Sequence, residues 1–212
     1  MNEPREVEAK FETDDVAPLL DAFAFPPLRI ARKRTLHQHD TYLDTQDDRL
    51  KAASSTLRIR ASAGLTTMTF KGPRELMTDD MAHVASRPEI NERIAASDAA
   101  ELLAGKRPDS MPAPLRAAQR NIGDATLRPV ATIENHRVAI DLVDADGNTF
   151  ELAVDRCIGT RISDGRQIVF GEIELEAKSA PHAAFVAAVE ALIRAVPSLR
   201  PSHQTKLGRV LS

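Results

Sequence analysis

Residues 5–12, REVEAKFE, set two carboxylates and an amine where they could handle a metal-bound anion. Side chains alternate faces along an extended strand, so Glu6, Glu8 and Lys10 share one face while Val7, Ala9 and Phe11 take the other. Carboxylates two residues apart stand roughly 7 Å from each other, within joint reach of one hard divalent cation. Lys10, one step further along, would meet the anion that such a cation carries. Taken alone, the same alternation also describes an antiparallel strand with one buried and one solvated face, which is the commoner case.

Four other segments repeat the pattern. In STLRIRAS, Arg58 and Arg60 share a face opposite Leu57, Ile59 and Ala61; in TTMTFK, Lys71 is in phase with Thr67 and Thr69. In SRPEINERI, Arg87 and Glu89 share a face, and in FGEIELEAK, Glu172, Glu174 and Glu176 do. Solvent-facing strands usually mix Lys, Glu, Thr and Ser, whereas here one strand face is only acidic and another only arginine. Like charges across strands repel at roughly a few tenths of a kcal/mol per exposed pair, so a bound polyanion carrying divalent metals would offset the segregation. A closed barrel of about eight antiparallel strands has an interior suited to one small ligand. Its polar residues would point inward and its apolar residues outward, beneath helices.

The elements required to hold these side chains are legible. Thr13 with Asp14 and Asp15 starts a short amphipathic helix through Val16, Leu19, Leu20 and Phe23, which Pro26-Pro27 ends. Residues 28–44 are extended and finish in TYLDT; 55–62 and 65–71 form a hairpin turning near Ala63-Gly64. A further strand lies around 83–92, where Pro88 indicates an edge or a bulge because it lacks a ladder donor. Residues 98–122 are helical but punctuated by Pro108, Pro112 and Pro114. Strands return at 129–142, 148–155 and 167–177, followed by a helix at 181–195 and a short C-terminal helix carrying Lys206. The expectation is an α+β chain: one domain over residues 1–212, an eight-stranded antiparallel barrel with helices packed outside.

Composition narrows the function. The 212 residues can bury a sizeable core, and a formal net charge of −3 argues against a general nucleic-acid coat. Cys157 is the single cysteine, so no intramolecular disulfide can form and a reducing compartment fits. The N-terminus is charged from the outset and no apolar run approaches membrane-spanning length. The expected setting is the cytoplasm, with neither nucleic acid nor membrane as partner. Oligomeric state stays open, and a homodimer is compatible with it.

Other chemistry finds less support. His37 and His39 form an HxH, but no cysteine cluster or neighbouring acid completes a zinc site in the sequence, so His37, His39, His83, His136, His182 and His203 are expected at the surface. Cys157 is expected to be a small buried apolar residue, and Tyr42 a half-buried structural residue with its hydroxyl bonded. No GxxxxGK[ST] loop is present, which disfavours P-loop chemistry.

In this order the segments resemble the CYTH superfamily, the triphosphate tunnel metalloenzymes. EVEAK is similar to its ExExK signature, and YLDT at 42–45, LRIR at 57–60, TFK at 69–71, RPE at 87–89, Arg137, Asp155, EIELE at 172–176 and Lys206 follow along nearly the whole chain. RPE and the Lys206-Leu207-Gly208-Arg209 ending are similar to the bacterial inorganic triphosphatase branch. The resemblance implies an eight-stranded tunnel that binds a small-molecule triphosphate with Mg²⁺ or Mn²⁺ and cleaves a phosphoanhydride. Carried onto this sequence, it makes Glu6, Glu8, Glu172 and Glu174 metal ligands, with Glu89 and Asp155 nearby. It makes Lys10, Arg58, Arg60, Lys71, Arg87, Arg137 and Lys206 phosphate ligands, and places Glu6, Glu8, Lys10 and Glu174 at the reacting centre. Asn135 stands where many members carry lysine, and KAASS precedes the LRIR strand where many carry a glycine.

Three functions fit: an inorganic triphosphatase, thiamine triphosphatase or class IV-type adenylate cyclase chemistry on the same tunnel, and a non-catalytic polyphosphate-binding module. One tyrosine and no tryptophan leave little to stack an adenine or thiazolium ring. The retained acidic pairs suit metal-dependent hydrolysis better than passive binding.

Overall fold

A computed structural model describes residues 4–13, 27–76 and 84–212. The helix expected after Thr13 and the side chain of His83 lie outside the described residues. Among the described residues, ten strands form one antiparallel sheet: β1 (Arg5–Glu12), β2 (Arg29–Asp44), β3 (Thr56–Ser62), β4 (Leu65–Lys71), β5 (Glu75–Leu76), β6 (Val84–Arg93), β7 (Arg128–Val143), β8 (Thr149–Arg161), β9 (Gln167–Ser179) and β10 (Arg200–Pro201). Pairing runs β1-β9-β8-β7-β2-β3-β4-β6, and a β1–β6 ladder from Arg5↔Pro88 to Ala9↔Val84 closes the eight long strands into a barrel. Closure leaves none of the eight as an open template for another chain.

Phase decides what each strand contributes. Val7, Ala9 and Phe11 of β1 meet Ile173 and Leu175 of β9 and Leu152 and Val154 of β8 on the outer surface, beneath α4 (His182–Ala195) with its Phe185, Val189 and Leu192. On the opposite side Leu57, Ile59, Met68 and Phe70 are covered by α2 (Ala96–Leu103) and α3 (Ala113–Ile122). This is the inverse of a soluble barrel with an apolar lumen, and helices are needed because the outer faces are the hydrophobic ones.

Local chemistry sets the joints. Ala63 and Gly64 both adopt positive φ (49° and 76°), as a two-residue type I′ hairpin turn requires. Asp44 ends β2 by accepting the backbone N–H groups of Thr45, Leu50 and Lys51, which clamps α1 (Arg49–Ala52) onto the barrel. TYLDT is thus partly a structural fastening. Pro88 sits where β6 changes partner, from β1 over residues 84–88 to β4 over 89–93, so its missing donor falls at a corner. β8 runs to Arg161, well past the expected end at 155, because Cys157 and Gly159 continue the alternation and pair with β7 and β9.

The short C-terminal α5 (Lys206–Leu211) closes one end of the barrel. Thr205 caps it by accepting from the Gly208 N–H at 2.9 Å. Val210, Leu207 and Leu211 pack on Tyr42, Ile133 and Cys157. The fit depends on Gly159, where an added Cβ would lie 2.3 Å from Val210 Cγ2. Gly159→Ala is therefore expected to push α5 outward and cost about 1–3 kcal/mol through overpacking. Thermal melting and limited proteolysis near the C-terminus would show it, and an unchanged melting temperature with no new cleavage would contradict the tight seating of α5.

Candidate functional site

The barrel encloses a cavity of about 320 Å³ lined by charged side chains of both signs. Glu6, Lys10, Arg58, Arg60, Lys71, Arg87, Glu89, Arg137, Glu174 and Lys206, each expected from the sequence, all reach it. Glu8, Asp155 and Glu172 also face inward but lie sealed in the wall beneath the cations, at 2%, 0% and 0% exposure.

Two electrostatic clusters organise the cavity. On β1, Glu6 takes Lys71 at 2.6 Å and Arg87 at 3.0 Å, while Arg87 Nη2 is 2.8 Å from Glu8. Burial raises the Glu6 pKa, but Lys71 and Arg87 outweigh it and hold the carboxyl far below its usual range. Deeper in, Lys10 Nζ donates to Glu174 at 2.6 Å and Lys206 Nζ to Glu172 at 2.5 Å, with Lys206 also 3.0 Å from Asp155. Arg137 grips Asp155 with two bonds of 2.7 Å and reaches Glu174 at 2.8 Å. Burial opposes the Lys10 ammonium, yet Glu172, Glu174 and Glu8 raise its pKa above the normal lysine value. Lys10 is therefore a fixed cation and poorly suited to accept a proton. Glu174 is held ionised against burial by Lys10, Lys206 and Arg137, whereas for its neighbour Glu172 burial prevails and the pKa is raised.

A third cluster escaped the sequence reading. Asp40, fully buried on β2, receives both Arg60 nitrogens at 2.6 and 2.7 Å and lies 3.4 Å from Arg58. Asp40 thus holds both guanidiniums toward the cavity. The signal was available: Gln38, Asp40 and Tyr42 alternate in HQHDTYLD, in the same way as Glu6, Glu8 and Lys10. Glu151, two residues from Ala153 and four from Asp155, likewise lines the cavity and was not singled out. Asn135 donates to Gln38 and Asp155 at 3.1 and 3.0 Å, so in place of a cation it supplies a neutral link in the wall.

Tyr42 is fully buried at 6% exposure, where a half-buried ring was expected. Cys157 is buried as expected, and that burial pushes its thiol pKa up to about 12. His37, His39 and His136 are exposed on the outer wall. The register sets His136 opposite His37 and Glu134 opposite His39, an acidic neighbour that the linear sequence hides. Among the described residues, no three His, Cys, Asp or Glu side chains are already arranged to hold a metal ion.

The cavity nonetheless has the donors a hard cation uses. Glu172 Oε2 is buried without a hydrogen-bond donor, with Arg209 Nε 3.7 Å away. A buried carboxylate oxygen left unsatisfied is costly, and Mg²⁺ or Mn²⁺ prefers oxygen ligands of this kind. Glu6, Glu8, Glu172 and Glu174 could supply them once Lys10, Lys71, Arg87 and Lys206 turn from the carboxylates to a phosphate chain.

Fold and site together define a closed tunnel lined by charges of both signs. The chain belongs to the CYTH family, whose domain model matches residues 4–211. Among solved structures it is similar to HpAC1 from Hippeastrum, a candidate adenylyl cyclase described as having a dominant triphosphatase activity (21% identity, 97% of this chain and 95% of that chain, TM-score 0.68). It is also similar to bh2851 from Bacillus halodurans, a candidate adenylate cyclase (18% identity, 100% of both chains, TM-score 0.65). The mimivirus capping enzyme triphosphatase shares the fold at 10% identity over 92% of this chain and 91% of that one, with a TM-score of 0.52. At these identities the likeness establishes the fold. No curated protein matches the chain.

Asp40 makes the electrostatics testable. Burial disfavours its charge, but Arg58 and Arg60 prevail and lower its pKa. A depressed folded pKa contributes stability that is present above the unfolded value, about 3.9, and is lost as pH falls through the folded one. Asp40→Asn should therefore cost about 3 kcal/mol near neutral pH. The gap between its melting temperature and that of the wild type should narrow below about pH 4. A gap that is absent at neutral pH, or that widens in acid, would contradict the role given to Asp40.

Proposed function

We propose that the chain is a metal-dependent triphosphatase that hydrolyses inorganic triphosphate to pyrophosphate and phosphate within the tunnel, as the bacterial inorganic triphosphatase branch of the family would. The observation that carries this reading is the convergence of Lys10, Arg58, Arg60, Lys71, Arg87, Arg137 and Lys206 on one cavity that also contains the carboxylates of β1 and β9. The activities described for the Hippeastrum and mimivirus proteins support the same class.

Phosphoryl transfer proceeds through a loose transition state, so the protein must mainly align the attacking water with the leaving oxygen and balance spreading charge. Arg58 and Arg60, fixed by Asp40, present guanidinium forks suited to paired bonds with phosphate oxygens. Lys71 and Arg87, now on Glu6, and Lys10 and Lys206, now on Glu172 and Glu174, would turn to the phosphates as the carboxylates turn to Mg²⁺ or Mn²⁺. When bound, the cation would supply Lewis-acid polarisation of a phosphoryl oxygen. Glu6, Glu8, Glu172 and Glu174 would hold it, with Glu89 and Asp155 nearby. A water oxygen opposite the leaving oxygen would bond to phosphorus as the bridging P–O bond breaks, its electron pair leaving on pyrophosphate and the water's proton passing to solvent.

Adenylate cyclisation is the second reading, favoured by the description of the Bacillus halodurans protein as a candidate cyclase. Against it, Tyr42 is the sole aromatic residue among the described residues that line the cavity, and it is buried in the wall. That leaves no exposed ring to stack a base.

Two outcomes follow. Phosphate release should need a divalent cation, and Glu8→Gln and Glu174→Gln should each lower kcat at least about a hundredfold while circular dichroism shows an intact fold. Full turnover by both variants at limiting Mg²⁺ would remove these residues from the metal site. In a panel of tripolyphosphate, thiamine triphosphate, ATP and pyrophosphate, tripolyphosphate should give the highest kcat/KM. Arg58→Ala and Arg60→Ala should each reduce it by about two orders of magnitude. A higher kcat/KM for ATP or thiamine triphosphate would overturn the substrate while leaving the tunnel chemistry in place.

A further inference from the structure

The outer wall carries a group of ligating side chains that the tunnel does not use. His37 and His39 alternate with the inward Gln38 and Asp40 of β2, so both imidazoles project from the barrel. On β7, Glu134 and His136 project in the same way around the buried Asn135. The β2–β7 ladder sets His37 opposite His136 and His39 opposite Glu134, which gathers three imidazoles and a carboxylate into a two-by-two block. Opposed residues on one face have Cβ atoms about 5 Å apart, and successive residues on that face stand about 7 Å apart. One ion above the block is therefore within reach of all four side chains.

The block lines a hollow of about 420 Å³ beside the β3–β4 turn at Ser62–Gly64. Ser62 Oγ donates to the His37 carbonyl at 2.8 Å and holds the turn against β2 there. The His37 and His136 rings already meet edge to face, with centroids 4.4 Å apart. Among the described residues, no hydrogen bond or ion pair engages any of the four side chains, so none must be withdrawn from a partner. The next outward residues on these strands, Thr35 and Thr41 of β2 and Thr132 and Val138 of β7, carry no charge. Arg156 is the charged neighbour, beside His136 on β8, while Ala61 and Ile158 flank the His39–Glu134 row. The ligating atoms are gathered but not converged, and all four side chains are exposed. Exposed rotamers exchange in picoseconds to nanoseconds, so convergence needs rotation about side-chain bonds and no shift of the backbone.

We infer that this block is a binding site for Zn²⁺, held by His37, His39 and His136 with Glu134 as the fourth ligand. Three imidazole nitrogens and a carboxylate oxygen suit tetrahedral Zn²⁺, whereas Mg²⁺ and Mn²⁺ favour oxygen donors throughout. The ion would join β2 to β7 across the outer wall and stabilise the folded barrel, because the unfolded chain does not hold the four ligands together. The site is independent of the activity proposed above.

The test titrates Zn²⁺ into untagged protein in excess Mg²⁺, which occupies oxygen sites without competing for imidazole. Calorimetry, the melting temperature and the visible spectrum of the Co²⁺ form are compared in wild type, His37→Gln/His136→Gln and His39→Gln/Glu134→Gln. Wild type should take up a single Zn²⁺ per chain, melt at a higher temperature with Zn²⁺ present, and give the intense visible bands of tetrahedral Co²⁺. Each double variant should bind Zn²⁺ at least about a hundredfold more weakly, since losing even a partner that orients a ligand costs about 10–100-fold. The zinc-dependent rise in melting temperature and the Co²⁺ bands should vanish as well. All four positions are exposed, so circular dichroism should show intact folds. No uptake by wild type, or uptake that either double variant retains in full, would overturn the inference. Zinc binding that appears only with dimerisation in analytical ultracentrifugation would overturn it too, by placing the site between two chains.

Discussion

The structure depends on confining charges of both signs inside a closed barrel. Taking a carboxylate or an ammonium out of water costs several kcal/mol per ion after relaxation, and only close, hydrogen-bonded partners recover it. The buried acids of the lumen accordingly have cations within bonding distance: Glu6 has Lys71 and Arg87, Asp40 has Arg60, Asp155 has Arg137, and Glu172 has Lys206. Because the lumen is polar, the outer faces must be apolar, and α2, α3 and α4 lie where those faces would otherwise meet water. Fold and site are one solution to one problem.

Not all the pairs are equivalent. Asp40 with Arg60 and Asp155 with Arg137 are fork-to-carboxylate contacts with two short bonds each, a geometry that fixes direction as well as charge. Lysine contacts carry no such planar constraint. Lys10 divides itself between Glu174 at 2.6 Å, Glu8 at 3.4 Å and Glu172 at 3.5 Å, and Lys206 serves Glu172, Asp155 and Glu174. A ligand that offers phosphate oxygens can draw a shared lysine away more readily than a forked arginine. The arginine pairs of β3 and β7 thus form the rigid part of the cavity, and the lysines of β1, β4 and α5 the exchangeable part.

Much of this was legible because the alternation of period two survives in the sequence. EVEAK, LRIR and EIELE announce the inward faces of β1, β3 and β9 without any tertiary information, and the ladder registers agree with them. Asp40 and Glu151 carry the same period but were hidden by their company. Asp40 follows a histidine pair that draws attention to zinc, and Glu151 stands in an otherwise apolar run. The ends of elements were harder. The far end of β8 is seated by the approach of Val210 to Gly159, a contact between residues 51 positions apart that no local pattern encodes. The neighbourhood of His39 and Glu134 is equally nonlocal, since it exists only once β2 and β7 are in register.

Closure also governs how the charges can be understood one by one. In an open sheet an inward side chain could swing toward water when its partner is removed; here the barrel walls and α5 restrict where it can go. Removing one acid therefore leaves its cations to re-pair with the remaining carboxylates, because Lys10 and Lys206 already touch several. Residues that share partners in this way show couplings of roughly 0.5–3 kcal/mol, so their individual effects do not add. Asp40 belongs to a set centred on Arg58 and Arg60, whereas Glu172 and Glu174 belong to one centred on Lys10 and Lys206. Double-mutant cycles within a set should show strong coupling and cycles between sets weak coupling. On this arrangement the tunnel behaves as adjoining electrostatic units joined by the anion that lies across them.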